Sequence, residues 1–159
     1  MIESIRRFFA RTMQAPPDAA AEADREENER RRLHVSACAL LLELAHADDV
    51  FTAREKEHVA AAVRRHLDLD DAAARELIEL AEQERRGAID LYQFTSLIRD
   101  NYDLGQKTLL AEIMWGVVLA DGEIHADESY LLRKIGNLLG LEPGYLSHAR
   151  KKVMEARMK

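Results

Sequence analysis

Apolar residues along this chain recur three and four positions apart almost from end to end, which predicts helices and little else. Leu33, Ala37, Leu40, Leu41 and Leu44 mark one face of a helix ending near Ala47, and Val59, Ala62, Val63, His66 and Leu67 mark the next. Asp70-Asp71 is placed to cap a third, which carries Leu77, Ile78, Leu80 and Ala81 and stops near Arg86-Gly87, where glycine can take the left-handed closing conformation. Asp90 is placed to cap a fourth, with Leu91, Phe94, Leu97 and Ile98 inward. A fifth spans about 106–120 and a sixth about 126–139, the latter with Leu131, Leu132, Ile135 and Leu138. The seventh opens at Pro143, a residue suited to the first helical position because its missing N–H costs nothing there, and carries Leu146, Ala149 and Val153. No segment sustains period-two alternation between hairpin turns. The expected fold is therefore all-α, a single bundle of about seven helices.

Upstream, Ile2, Ile5, Phe8, Phe9 and Met13 recur at helical spacing among Arg6, Arg7 and Arg11, which predicts a short amphipathic helix over residues 1–14. Its apolar stripe suits the protein's own core, a second copy in a homo-oligomer, or a membrane surface. Residues 15–28, rich in Ala, Pro and Glu, read as a linker, and residues 29–159 as the helical domain.

One stretch occurs twice. Ala47-Asp48-Asp49-Val50-Phe51-Thr52-Ala53-Arg54-Glu55 and Ala120-Asp121-Gly122-Glu123-Ile124-His125-Ala126-Asp127-Glu128 match in frame at an offset of 73, each with Asp and Glu seven residues apart. Both follow one apolar helix and open another, and a third helix follows each pair. The bundle is thus expected to contain two pseudo-symmetric three-helix units flanking the helix that starts near Asp90.

Composition narrows the function classes. A formal charge of -6, with arginines interleaved among acids as in Glu26-Glu27-Asn28-Glu29-Arg30-Arg31-Arg32, gives no basic stripe for nucleic acid, so no nucleic-acid partner is expected. The arginine clusters read as solvated helix faces. Cys38 is the single cysteine, which leaves no disulfide framework and permits a reducing compartment. The run from Ile113 to Ala120 is far short of a membrane span, and charges interrupt the N-terminus where an export signal needs an apolar core. A cytoplasmic protein is expected, with peripheral placement at the inner face of the membrane as the alternative.

No enzyme is expected. The sequence has no glycine-rich phosphate loop and no ordered nucleophile and base, and the Glu55-Lys56-Glu57-His58 spacing used by helical di-iron proteins lacks the second copy such sites need. His58 reads as an exposed helix residue, and Trp115, Tyr92 and Tyr102 as packing.

The repeated turns carry the candidate chemistry. Asp121-Gly122 with Ile124 and Glu128 reproduces the back half of an EF-hand loop, but Val117 and Leu119 stand where its first ligands belong, so an ordinary EF-hand is excluded. Two such turns side by side offer Asp48, Glu55, Asp121 and Glu128, enough carboxylates for calcium or magnesium, with no organic cofactor implied. A competing reading needs no metal. Thr52-Ala53-Arg54-Glu55 is a capping-box sequence, and Asp127 and Glu128 suit the positive first turn of a helix. The chain would then be a constitutive interaction scaffold whose acids are caps.

The helix ending in Ala120-Asp121-Gly122, the glutamate seven residues after that aspartate, the repetition of the unit, and Leu91-Tyr92-Gln93-Phe94-Thr95-Ser96-Leu97-Ile98 between the copies together resemble the tellurite-resistance TerB-like family over about residues 33–155. The resemblance implies an all-α bundle with internal pseudo-symmetry and a divalent-metal site on the paired turns. It also implies a role in bacterial stress or metal resistance alongside protein partners, some of them in the membrane, and no catalysis. Asp49 departs from the family pattern, which has glycine there; aspartate tolerates the left-handed conformation, and its carboxylate is either an additional ligand or the mark of a degenerate first turn.

Overall fold

The computed structural model describes residues 18–47, 52–120 and 124–157, with side chains from residue 20 onward. The expected N-terminal amphipathic helix over residues 1–14 lies outside the described residues, as do Asp48, Asp49 and Asp121. Seven α-helices account for nearly all of the described chain, and no strand occurs among those residues. They are α1 (Asp18–Ala45), α2 (Ala53–Leu67), α3 (Asp71–Gly87), α4 (Tyr92–Asn101), α5 (Leu104–Val118), α6 (Ala126–Leu138) and α7 (Pro143–Arg157).

The first helix starts earlier than the sequence pattern suggests. It is continuous from Asp18, so most of the stretch read as a linker is helical. The Ala, Glu and Arg that made residues 18–28 look featureless are strong helix formers, and their lack of an apolar stripe means only that this part of α1 is not a core face. Glu27 pairs with Arg30 at 3.1 Å, in keeping with a solvated helix surface.

Two helices form the centre of the bundle. The second half of α1 is buried nearly all round, from Ser36 to Leu42 and again at Leu44 and Ala45. The second half of α5 is buried in the same way at Leu110, Ala111 and from Met114 to Val118. A helix with apolar residues on every side must be covered on every side. Accordingly, α1 packs against α2, α3, α4, α5 and α6, and α5 against α1, α2, α6 and α7. Within each triplet the pairings are the same: α1 touches α2 and α3, which touch each other, and α5 touches α6 and α7, which touch each other. The intervening α4 leans on α1 and α6.

Caps explain most of the helix boundaries. Asp70 Oδ1 accepts from Ala73 N–H at 2.8 Å and opens α3 as the sequence suggests. Asp103 and Gln106 form a capping box that the periodicity does not reveal, and α5 therefore starts at Leu104 rather than near Gln106. Asp90 accepts from Tyr92 N–H at 2.9 Å, but the N-cap position of α4 is Leu91. Gly87 is not a left-handed stop: α3 runs through it and ends on extended Ala88. The left-handed positions found are instead Asp68 after α2 (φ 53°) and Gly140 after α6 (φ 80°). Pro143 opens α7 as expected.

Candidate metal-binding turns

The two central helices end alike. Ala47 N–H donates to Leu44 O at 3.2 Å at the end of α1, and Ala120 N–H donates to Val117 O at 3.2 Å at the end of α5. One residue earlier, His46 N–H donates to Leu42 O at 3.0 Å and Leu119 N–H to Trp115 O at 2.9 Å. The helices that follow also start alike, with Lys56 N–H on Thr52 O and Ser129 N–H on His125 O, both at 3.1 Å. The local repeat in the sequence is thus a local repeat in backbone hydrogen bonding, on either side of both acidic turns.

The helices that flank the two turns pack on one another across the repeat. The helices before the turns, α1 and α5, pack on each other, and each also packs on the helix that follows the other's turn, α1 on α6 and α5 on α2. One close contact between α2 and α5 is that of His58 with Gly116. A Cβ added to Gly116 would stand 2.6 Å from His58 Nε2, so the imidazole lies directly on the α5 backbone. His58 is half-buried rather than exposed, one turn after Glu55, and its partner is only a few residues before Asp121. Burial, and then the Arg157 charge, hold the His58 pKa below its ordinary value.

Of the five proposed ligands, Glu55 and Glu128 are described, and both are 1% exposed. Burying a carboxylate costs several kcal/mol unless it is neutralised or matched by donors and cations. It occurs twice here, at corresponding first turns of α2 and α6. All donors in the set are carboxylates, which fits a hard divalent cation and not zinc or copper. Among the described residues alone, no group of three or more His, Cys, Asp or Glu is arranged to hold a metal.

The two glutamates differ in their local bonding. Glu55 is engaged in a complete capping box: its N–H donates to Thr52 Oγ at 3.1 Å, and its Oε1 receives the Thr52 hydroxyl at 3.0 Å and the Thr52 N–H at 3.4 Å. At the start of α6, His125 occupies the N-cap and its side chain makes no capping hydrogen bond.

Beside the first turn lies a charged cluster that the sequence reading took for solvated surface. Arg85 of α3 donates to Glu82 at 2.5 Å and to Glu43 of α1 at 3.0 Å, and His46 Nε2 lies 3.8 Å from Glu82 Oε1. Partial burial opposes ionisation of Glu82, but hydrogen bonding to Arg85 and the surrounding positive charge outweigh it and lower its pKa. Burial and then Arg85 keep the His46 pKa low. Cys38, deeper in α1, has its thiol pushed up to about 12 by burial and, secondarily, by Glu82, so it is an inert core residue.

Trp115 is packing, as expected: its indole N–H donates to Leu146 O at 3.0 Å and the ring is buried. Tyr92 is not, being 55% exposed with the Arg99 guanidinium 5.9 Å from its ring centre. Spacing alone did not single out Gly116, because its importance comes from a contact between helices distant in sequence.

No helix among the described residues is long and apolar enough to cross a membrane. No curated protein and no solved structure matched the chain. The family model described as tellurite resistance protein TerB matches residues 34–151, nearly the whole helical body. The chain belongs to the TerB tellurite-resistance family.

Proposed function

We propose that this protein is a non-catalytic, divalent-cation-binding module of a bacterial stress or metal-resistance system. Asp48, Glu55, Asp121 and Glu128, with Asp49 as a fifth carboxylate, share one calcium or magnesium ion. The bound cation supplies the positive charge that lets these carboxylates stay ionised side by side. In this reading the four helix ends take up a fixed relative geometry when the site is filled, and a protein partner, soluble or membrane-associated, reads that geometry. The observation that carries it is the pair of almost fully buried glutamates at corresponding positions in the first turns of two helices, each of which packs on the helix that precedes the other's turn.

The test is calorimetric titration of chelator-treated protein with calcium, magnesium and manganese, taken to millimolar concentration, together with thermal melts. Saturable heat is expected from at least one ion, together with stabilisation of about 2.7 kcal/mol at a hundredfold excess over Kd. Absence of heat and an unchanged melting temperature for all three ions would sink the reading.

The Thr52–Glu55 capping box favours a second reading at the first turn, in which that acid is only a cap and the protein is a constitutive scaffold. The double variant Asp121→Asn, Glu128→Gln separates the two. A cation switch loses metal response and partner binding together, whereas a scaffold loses only about 1 kcal/mol of helix-end stability per site.

A further inference from the structure

We propose that the outer face of α7 docks a mixed-charge peptide segment of a partner protein: Ser147, Arg150 and Lys151 receive its carboxylate, and Glu155 meets its basic residue. The inference goes beyond cation binding at the turns and does not depend on it.

The last helix is basic in an acidic chain. It carries Arg150, Lys151, Lys152 and Arg157 against one acid, Glu155, whereas the whole chain has a formal charge of -6. Ser147, Arg150, Lys151, Met154 and Glu155 recur at three- and four-residue spacing, so they share one face of α7, and together they line an open cleft of about 360 Å³. Arg150 anchors this face. Its guanidinium lies 5.4 Å from the ring centre of Trp115, a buried side chain of α5 that holds the charged plane in one orientation. Its Nε is shut off from water and makes no hydrogen bond, the only side-chain nitrogen in that state among the described residues. Arg85, on the corresponding helix of the first triplet, spends its donors on Glu82 and Glu43. Arg150 is instead fixed by stacking, which leaves its terminal donors for a ligand. Lys152 lies outside this face and pairs with Glu112 at 3.2 Å.

The shape and charge of the cleft select the occupant. Its described lining comes from one helix, so it cannot enclose a free small molecule, which needs most of its surface covered. A segment held at further points by the rest of a partner has no such need. Glu155 is exposed at one end of the face and repels a uniformly negative surface such as an anionic membrane or nucleic acid. A peptide that carries both signs satisfies both ends. Arg150 and Glu155 are separated by about 7 Å of helix rise, which an extended peptide spans in about two residues. Met154, 41% exposed beside Glu155, offers contact to an apolar neighbour.

The test selects a display library of short random peptides on the full chain, in the presence of chelator, and measures the consensus peptide by fluorescence anisotropy. Recovered peptides are expected to carry an acidic and a basic residue two or three positions apart, with an apolar residue beside the basic one. Arg150→Lys keeps the charge without the planar stack and should weaken the consensus peptide about tenfold. Arg150→Met, checked by thermal melting because it uncovers Trp115, should weaken it further. Glu155→Lys, at an exposed position, should shift the preference to peptides with an acid in place of the base. Lys152→Met should leave binding unchanged. Sedimentation with phosphatidylcholine vesicles, with and without phosphatidylserine, is run alongside. A library with no enrichment overturns the proposal, and so does consensus binding that survives both Arg150 substitutions. An unaltered preference in Glu155→Lys overturns the mixed-charge pairing. Binding to phosphatidylserine vesicles and to no peptide overturns the peptide partner. Because chelator is present throughout, a protein that binds no cation defeats the proposed function and leaves these outcomes to decide the face of α7.

Discussion

The first and second acidic turns have the same spacing and the same flanking backbone bonds, yet they dispose of their buried glutamate differently. Glu55 closes a capping box with Thr52, so part of its burial is explained by helix formation alone. Glu128 is buried to the same degree, but it follows an N-cap histidine whose side chain makes no capping bond. Identical spacing therefore does not mean identical work. The first glutamate has a structural role in its capping box, and under the proposed function the second is the one expected to act mainly as a cation ligand.

The largest expected difference between the two halves is in how their central helices are clasped. Trp115 of α5 both fills core space and hydrogen-bonds α7, whereas the corresponding residue of α1, Leu42, only fills core space. Trp115→Ala should cost about 3–5 kcal/mol in denaturant unfolding, and more than Leu42→Ala measured in the same way. Equal losses would mean that the Leu146 bond adds nothing to the second half.

The crossing between the halves comes next. Gly116→Ala should cost about 1–3 kcal/mol, because a methyl group would overlap the His58 imidazole. Adding His58→Ala should recover much of that loss. A double-mutant cycle with no coupling energy would show that α2 and α5 do not meet through this contact.

A smaller effect tests the caps directly. Thr52→Ala should destabilise by about 1 kcal/mol, and His125→Ala by less, because only the first removes a side-chain cap. Melting curves of the two variants, recorded without divalent cations, decide it.

The smallest and most distributed effect is on pH dependence. His34, His46, His58 and His66 all have pKa values held below the ordinary 6.5, chiefly by burial. The unfolded chain then binds protons more readily than the folded one. Their contribution is complete above about pH 6.5 and is lost as pH falls from there through the lower folded values. Unfolding free energies at pH 7.5 and 5.5 should show the decline, and His58→Gln should make it shallower.

Much of this was legible in the residues. Periodicity gave all seven helices because each carries an apolar face at the right spacing, and the in-frame repeat pointed to the two turns because both copies keep the same Asp and Glu. What escaped has a common cause. The early start of α1 escaped because residues 18–28 have high helix propensity but no apolar stripe. Arg85 looked like solvated surface because its partner Glu43 lies on another helix, 42 residues away in sequence. His58 looked exposed because what covers it is a glycine backbone, which leaves no hydrophobic signal. Local chemistry announces itself in spacing; contacts between distant helices do not.

The most direct test is a crystal structure grown with manganese, read for anomalous scattering. One peak is expected beside the start of α6, with an oxygen of Glu128 roughly 2.0–2.6 Å from it, the range of hard-cation ligation by oxygen. A map with no peak there, or with a peak that Glu128 does not approach, would contradict a cation site shared between the turns.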